Sequence, residues 1–115
     1  MKTRSILLAL STMLVAAPAF GGGAPMKEEK PGLLKRAKVT PDAATAAAQA
    51  KVPKGTITSA EIEVEHGKLI YSFDIKTAGK SGIDEVNVDA MTGAVSLQHE
   101  TPRDEARERA ADKKM

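Results

Sequence analysis

The chain has no cysteine. Disulfides are excluded, and so are a Cys–His catalytic pair and lipid attachment at an N-terminal cysteine. Aromatic residues make up only 3% of the sequence. Charge is close to balanced, with 17 Lys+Arg against 15 Asp+Glu. A nucleic-acid role needs a basic patch, and neither charge nor aromatic content supports one. Histidine occurs only at His66 and His99, too few for a metal site without further ligands at suitable spacing. No Ser-His-Asp arrangement can be assembled with any specificity. The apolar run from Ile6 to Ala17 is well short of the ~20 residues that span a bilayer. These absences predict a protein that is not an enzyme and carries no cofactor.

The N-terminus has an address. Lys2 and Arg4 precede the apolar run, and Ala17-Pro18-Ala19 has the small-x-small form of a cleavage site. Residues 1–19 therefore read as a secretory signal peptide, and the mature chain is expected to begin near Phe20. Periplasmic or secreted localisation follows. Loss of Lys2 and Arg4 would leave the mature protein formally neutral.

Residues 20–32 are mostly Gly, Pro, Lys and Glu and read as a flexible linker. Gly21-Gly22-Gly23 lies there with no strand before it, so it is not a phosphate-binding loop. One folded domain is expected over residues 33–98. A helix should start at Thr40, a good N-cap, with Pro41 at the first helical position and Asp42 in the first turn. Ala44, Ala47 and Ala48 share one face, which lets the helix lie close to a sheet. Pro53 and Gly55 stop it.

Strands follow by phase. Ala60, Ile62 and Val64 are at even positions, and Leu69, Tyr71, Phe73 and Ile75 at odd ones. A two-residue His66-Gly67 turn puts both sets on one face. It pairs Glu65 with Lys68, Val64 with Leu69 and Ile62 with Tyr71. A loop at Gly79–Gly82 then sets Ile75 opposite Val86, Phe73 opposite Val88 and Lys76 opposite Glu85. A turn at Ala90–Gly93 sets Val95 and Leu97 opposite Val88 and Val86. The fold class predicted is α+β, one Ala-rich helix packed on a four-stranded antiparallel meander. Its expected core is Ile62, Val64, Tyr71, Phe73, Ile75, Val86, Val88 and Val95, with Ala44 and Ala48 against them. Ile57 and Ile70 are out of phase with this register. Residues 99–115 are charged and read as a disordered tail or frayed helix.

The register sends Glu61, Glu63, Glu65, Asp74 and Glu85 to the wet face, with Asn87 and Asp89. These carboxylates are the candidate partner-binding residues, forming a docking face for a basic surface. An alternative use of the face is as a ligand or cation sensor of the cell envelope, although no loop supplies converging oxygens. His66 and Gly67 are expected to serve a structural turn. Asp89, Thr92 and Gly93 are expected to serve another, in which Asp89 accepts backbone N–H bonds. The exposed edges of the meander, Thr58–Glu65 and Ala94–Gln98, are candidates for strand addition.

The Ala-bearing helix (Ala44, Ala48), the Pro53-x-Gly55 break, the acidic strand Glu61–Glu65, the turn glycine Gly67 and the aromatic strand (Tyr71, Phe73) form one ordered pattern. It ends in Val86-x-Val88-Asp89-Ala90-x-Thr92-Gly93. Over Thr40 to Gln98 this pattern resembles the PepSY family. The resemblance implies an exported α+β domain, of a kind found in propeptides of secreted metallopeptidases and in small stand-alone exported proteins. It implies a protein-binding role as a peptidase inhibitor or modulator, with a secreted or periplasmic peptidase or another envelope protein as partner. It supplies no catalytic residue.

Overall fold

A computed structural model of the chain describes residues 24–103 and 107. The expected signal peptide and most of the charged tail lie outside the described residues. Strand β1 (Met26–Glu28) comes first, then a short helix α1 (Leu33–Arg36) and the main helix α2 (Pro41–Lys51). Strands β2 (Thr56–Glu65), β3 (Lys68–Lys76), β4 (Ile83–Asp89) and β5 (Val95–Glu100) follow. All five strands form one sheet in the order β1-β2-β3-β4-β5. The class is α+β, but the described sheet is mixed and five-stranded, and a second, short helix α1 precedes the expected one. The expected four-stranded antiparallel meander is β2–β5; β1 adds a parallel strand beside β2. It lies within the stretch expected to be a flexible linker. Its residues are too polar for apolar alternation to reveal them, and backbone pairing holds them.

Helix α2 starts as its sequence dictates. The Thr40 side chain accepts a hydrogen bond from the Ala43 N–H at 3.1 Å, and Pro41 follows it. At the other end, Gln49 Nε2 donates to the carbonyls of Val52 and Gly55 at 3.0 and 2.9 Å. The buried face of α2 is Ala44 and Ala48, both 0% exposed. These small side chains leave room for the large ones of the sheet: Tyr71, Phe73, Ile62, Ile75, Val86 and Val88. Leu33 of α1, Val52, Ile57, Ala60, Leu69 and Ala90 complete the core. The Tyr71 hydroxyl donates to the Val39 carbonyl at 2.6 Å, which ties the segment before α2 to the sheet. Val64, expected inside, is exposed beside the His66-Gly67 turn, and Val95, on the edge strand β5, is half-buried against the core.

Two of the three expected hairpin registers are present. Glu65 pairs with Lys68, Val64 with Leu69 and Ile62 with Tyr71. The turn between them has His66 at φ 53° and Gly67 at φ 79°, conformations that glycine adopts at little cost. Val88 pairs with Val95, and Val86 with Leu97. The middle register is displaced by two residues. Phe73 pairs with Val86, Tyr71 with Val88 and Ile75 with Asp84, so Lys76 is not opposite Glu85. The reason is the loop. Its turn begins at Thr77, where the Lys80 N–H donates to the Thr77 carbonyl at 3.1 Å, two residues earlier than expected. Lys76 Nζ then reaches across the loop to the carbonyls of Lys80 and Gly82 at 2.8 and 2.9 Å. The displacement is even, so every side chain keeps its face.

A β-bulge between Ile57 and Ser59 explains one residue that the alternation left out. The extra residue switches parity, and Ile57, opposite Ile75, turns into the core.

Candidate functional site

Alternation along β2, β3 and β4 puts the core on the helix side, so the intervening residues line the opposite face. The strand pairs then define rows across that face. One row runs Lys27, Glu61, Ser72, Asn87, Ser96. The next holds Glu63, Ile70 and Asp89. Another holds Ser59, Asp74, Glu85 and Gln98. Glu65 sits beside Lys68 at the end. The structure thus brings all five candidate carboxylates, Glu61, Glu63, Glu65, Asp74 and Glu85, onto one face. The displaced register sets Asp74 directly beside Glu85, where a Lys76–Glu85 pair had been expected. Hydroxyls moderate this like-charge contact. Ser59 donates to Asp74 Oδ2 at 3.2 Å, and Ser72 donates to Glu85 Oε2 at 3.3 Å.

Glu63 is the electrostatic centre of the face. Partial burial pushes its carboxyl above its ordinary value, and the charges of Glu61, Glu65, Glu29 and Glu85 push it further. The folded state therefore holds this proton more tightly than the unfolded chain does. The resulting destabilisation is full above the folded value and vanishes below the ordinary carboxylate value. Glu63→Gln is expected to raise stability at neutral pH by a fraction of a kcal/mol, because solvent screens much of the repulsion. The gain should fade as pH falls through the carboxylate range. Urea titrations of both proteins at neutral and acidic pH check this, and a variant less stable than the parent at neutral pH rejects it.

Beside Glu63 on β3, Ile70 is buried although it points away from α2. It lies in the floor of a shallow hollow of about 360 Å³ whose rim includes Glu65, Lys68, Asn87 and Asp89. Asn87 Oδ1 is buried there with no hydrogen-bond partner. Among the described residues, no three Asp, Glu, His or Cys side chains are grouped to hold a metal ion. No helix among them is long and apolar enough to cross a membrane.

The Asp89–Gly93 turn closes on itself. Asp89 Oδ1 accepts from the N–H groups of Met91 and Thr92 at 2.8 and 3.0 Å, and the Gly93 N–H donates to the Asp89 carbonyl at 2.8 Å. Thr92 Oγ1 accepts from the Ala94 N–H at 3.2 Å. The two backbone bonds from Met91 and Thr92 hold the Asp89 carboxyl below its ordinary value. Its contribution to stability is present above that ordinary value and is lost as pH falls through the folded one. The adjacent Ala90 carbonyl accepts from both Lys38 and Val39 N–H at 2.9 Å, so the turn also anchors the approach to α2.

The fold and this turn coincide with a known domain. A family described as "PepSY: Peptidase propeptide and YPEB domain" matches residues 38–98, from the approach to α2 into β5. The chain belongs to the PepSY family. PepSY domains are generally non-catalytic and are associated with peptidase propeptides. No curated protein and no solved structure matches the chain. The PepSY match begins after β1 and α1, so both lie outside the family domain.

One pair escaped the sequence reading. Asp84 is 6% exposed, and its Oδ1 lies 2.7 Å from His99 Nδ1. The signal was available. Asp84 has the parity of Val86 and Val88, and His99 that of Val95 and Leu97, so both belong on the helix side.

Proposed function

We propose that this PepSY protein is an exported, non-catalytic binding module that inhibits or modulates a peptidase. The observation that carries the reading is the family match over α2, β2–β4 and most of β5, because the family is described by its place in peptidase propeptides. The signal-peptide pattern of residues 1–19 supports export to the periplasm or medium. The acidic outer face supports contact with a basic surface on the partner, through Glu61, Glu63, Glu65, Asp74 and Glu85. Two of these, Glu61 and Glu63, are neighbouring outward positions on one strand.

The full chain, added to secreted and periplasmic peptidases of the producing cell, should retain at least one and change its activity. Glu61→Lys combined with Glu63→Lys should weaken that association, and added salt should weaken the parent's binding more than the variant's. A full set of peptidases neither retained nor affected would overturn the reading. Retention that is indifferent to both salt and the lysine pair would move the contact off the acidic face.

A further inference from the structure

The edge of β2 is covered, but only in part. Strand β2 has ten residues, and β1 pairs with three of them: Met26 with Ala60, Lys27 with Glu61 and Glu28 with Ile62. The Glu29 N–H continues the ladder to the Ile62 carbonyl at 2.9 Å. Beyond that point the backbone of the first segment leaves the sheet. The next edge donor, the Val64 N–H, is met by a side chain, Glu29 Oε1, at 3.0 Å.

β1 is also weakly held. None of its residues is buried; Met26 is half-buried against the core, and Lys27 and Glu28 are exposed. Its firm anchor comes later, at Leu33, which is 4% exposed. Gly32, at φ 90°, turns the chain just before that anchor. Glu28 Oε2 bonds the Leu34 N–H at 2.9 Å, which fixes the bend between strand and helix. A segment built this way can leave the edge of β2 without disturbing Leu33 or the domain that follows.

Its charges are half right for their place. Lys27 lies beside Glu61, which is favourable. Glu29 comes next and adds a negative charge near Glu63. A strand with a cation at that position as well, and long enough to reach Glu65, would match the run Glu61, Glu63, Glu65 along its length. Its backbone would also replace the Glu29 carboxylate at the Val64 N–H.

We propose that β1 is a displaceable strap over the edge of β2, and that an extended basic segment of the partner replaces it. This rests on the binding-module reading and specifies its mode: strand addition, with alternate Lys or Arg facing Glu61, Glu63 and Glu65. The strap keeps the long edge of β2 from pairing indiscriminately.

The test uses the full chain and a labelled synthetic peptide of alternating lysine and valine. The protein has no cysteine, so Lys27→Cys with Glu61→Cys introduces one pair, on adjacent residues of paired strands. Oxidised and reduced forms have the same composition and differ only in whether the strap is locked. The oxidised form should bind the peptide at least about tenfold more weakly, since locking removes the competent population. Glu29→Pro, which deletes both the ladder N–H and the carboxylate, should bind it several-fold more tightly than the parent. In the unaltered chain, the Glu29 amide should exchange hydrogen much faster than amides of β3.

Equal binding by oxidised and reduced forms would overturn the strap and leave the binding-module reading standing. An Glu29 amide that exchanges only with global unfolding would also overturn it, whatever the variants do. Absence of peptide binding in the reduced form and in Glu29→Pro would reject the basic strand as occupant. The peptidase assay would still decide the module reading on its own.

Discussion

Phe73→Ala is expected to cost about 3–5 kcal/mol. The ring is 0% exposed, on the central strand, with Ala60 beside it on β2 and Val86 on β4. The Tyr71 ring lies nearby, with ring centroids 6.4 Å apart. The residues of α2 that face the core are alanines, and they cannot lengthen to fill the space. Collapse of the cavity would require the helix to move, yet its approach is tied by the Tyr71 hydroxyl and the Ala90 carbonyl. Single domains have only about 5–15 kcal/mol in total, so the variant should be near its folding limit. Urea denaturation measures the loss. A midpoint equal to the parent's would mean that Phe73 does not hold the helix on the sheet.

The second large effect is expected at Gly82. Gly79 and Gly82 share a φ of 83°, which costs an L side chain about 1–2 kcal/mol. Their surroundings differ. A Cβ at Gly79 would meet nothing within 4 Å. At Gly82 it would strike the Glu100 carbonyl oxygen, and it would come within 3.0 Å of the Glu100 carbonyl carbon and Thr101 Cα. These are backbone atoms and cannot rotate away. Gly79→Ala should therefore show the conformational cost alone. Gly82→Ala should lose about 1–3 kcal/mol more, with the end of β5 pushed off β4. Paired denaturation curves for the two variants test this. Equal losses would mean that β5 does not approach the loop so closely.

Periodicity made most of the family domain legible. The cap at Thr40, the His66-Gly67 hairpin and the β4–β5 register are local signals, and each is where its residues put it. The β3–β4 register shows the limit. Ile75, Phe73 and Tyr71 pack equally well against Val86 and Val88 when shifted by two residues, so the apolar pattern could not choose. The choice lies in polar groups: the Thr77–Lys80 turn, the Lys76 ammonium over the loop and the Asp84–His99 contact. The acidic face was legible because parity alone assigns a face, and an even displacement preserves it. Its details were not, since Asp74 beside Glu85 depends on the exact register. Ile70 broke the alternation and marks the floor of the hollow on that face. Strand β1 was illegible because a short polar strand on an edge is recruited by backbone bonds, which leave little mark on composition.

The strand order has a consequence for how the chain assembles in time. From β2 to β5 every strand pairs with its successor through a short loop, so each hairpin can form as soon as its second strand is present. Such local closures are entropically cheap and fast. β1 is the exception. It precedes the other described strands, yet its partner on β2 lies about 34 residues further along. Among the described strands it has the largest loop to close before it can pair. The strand earliest in the described sequence is therefore expected to be the last to join. Refolding followed by amide labelling should show β1 protected in a later phase than β3.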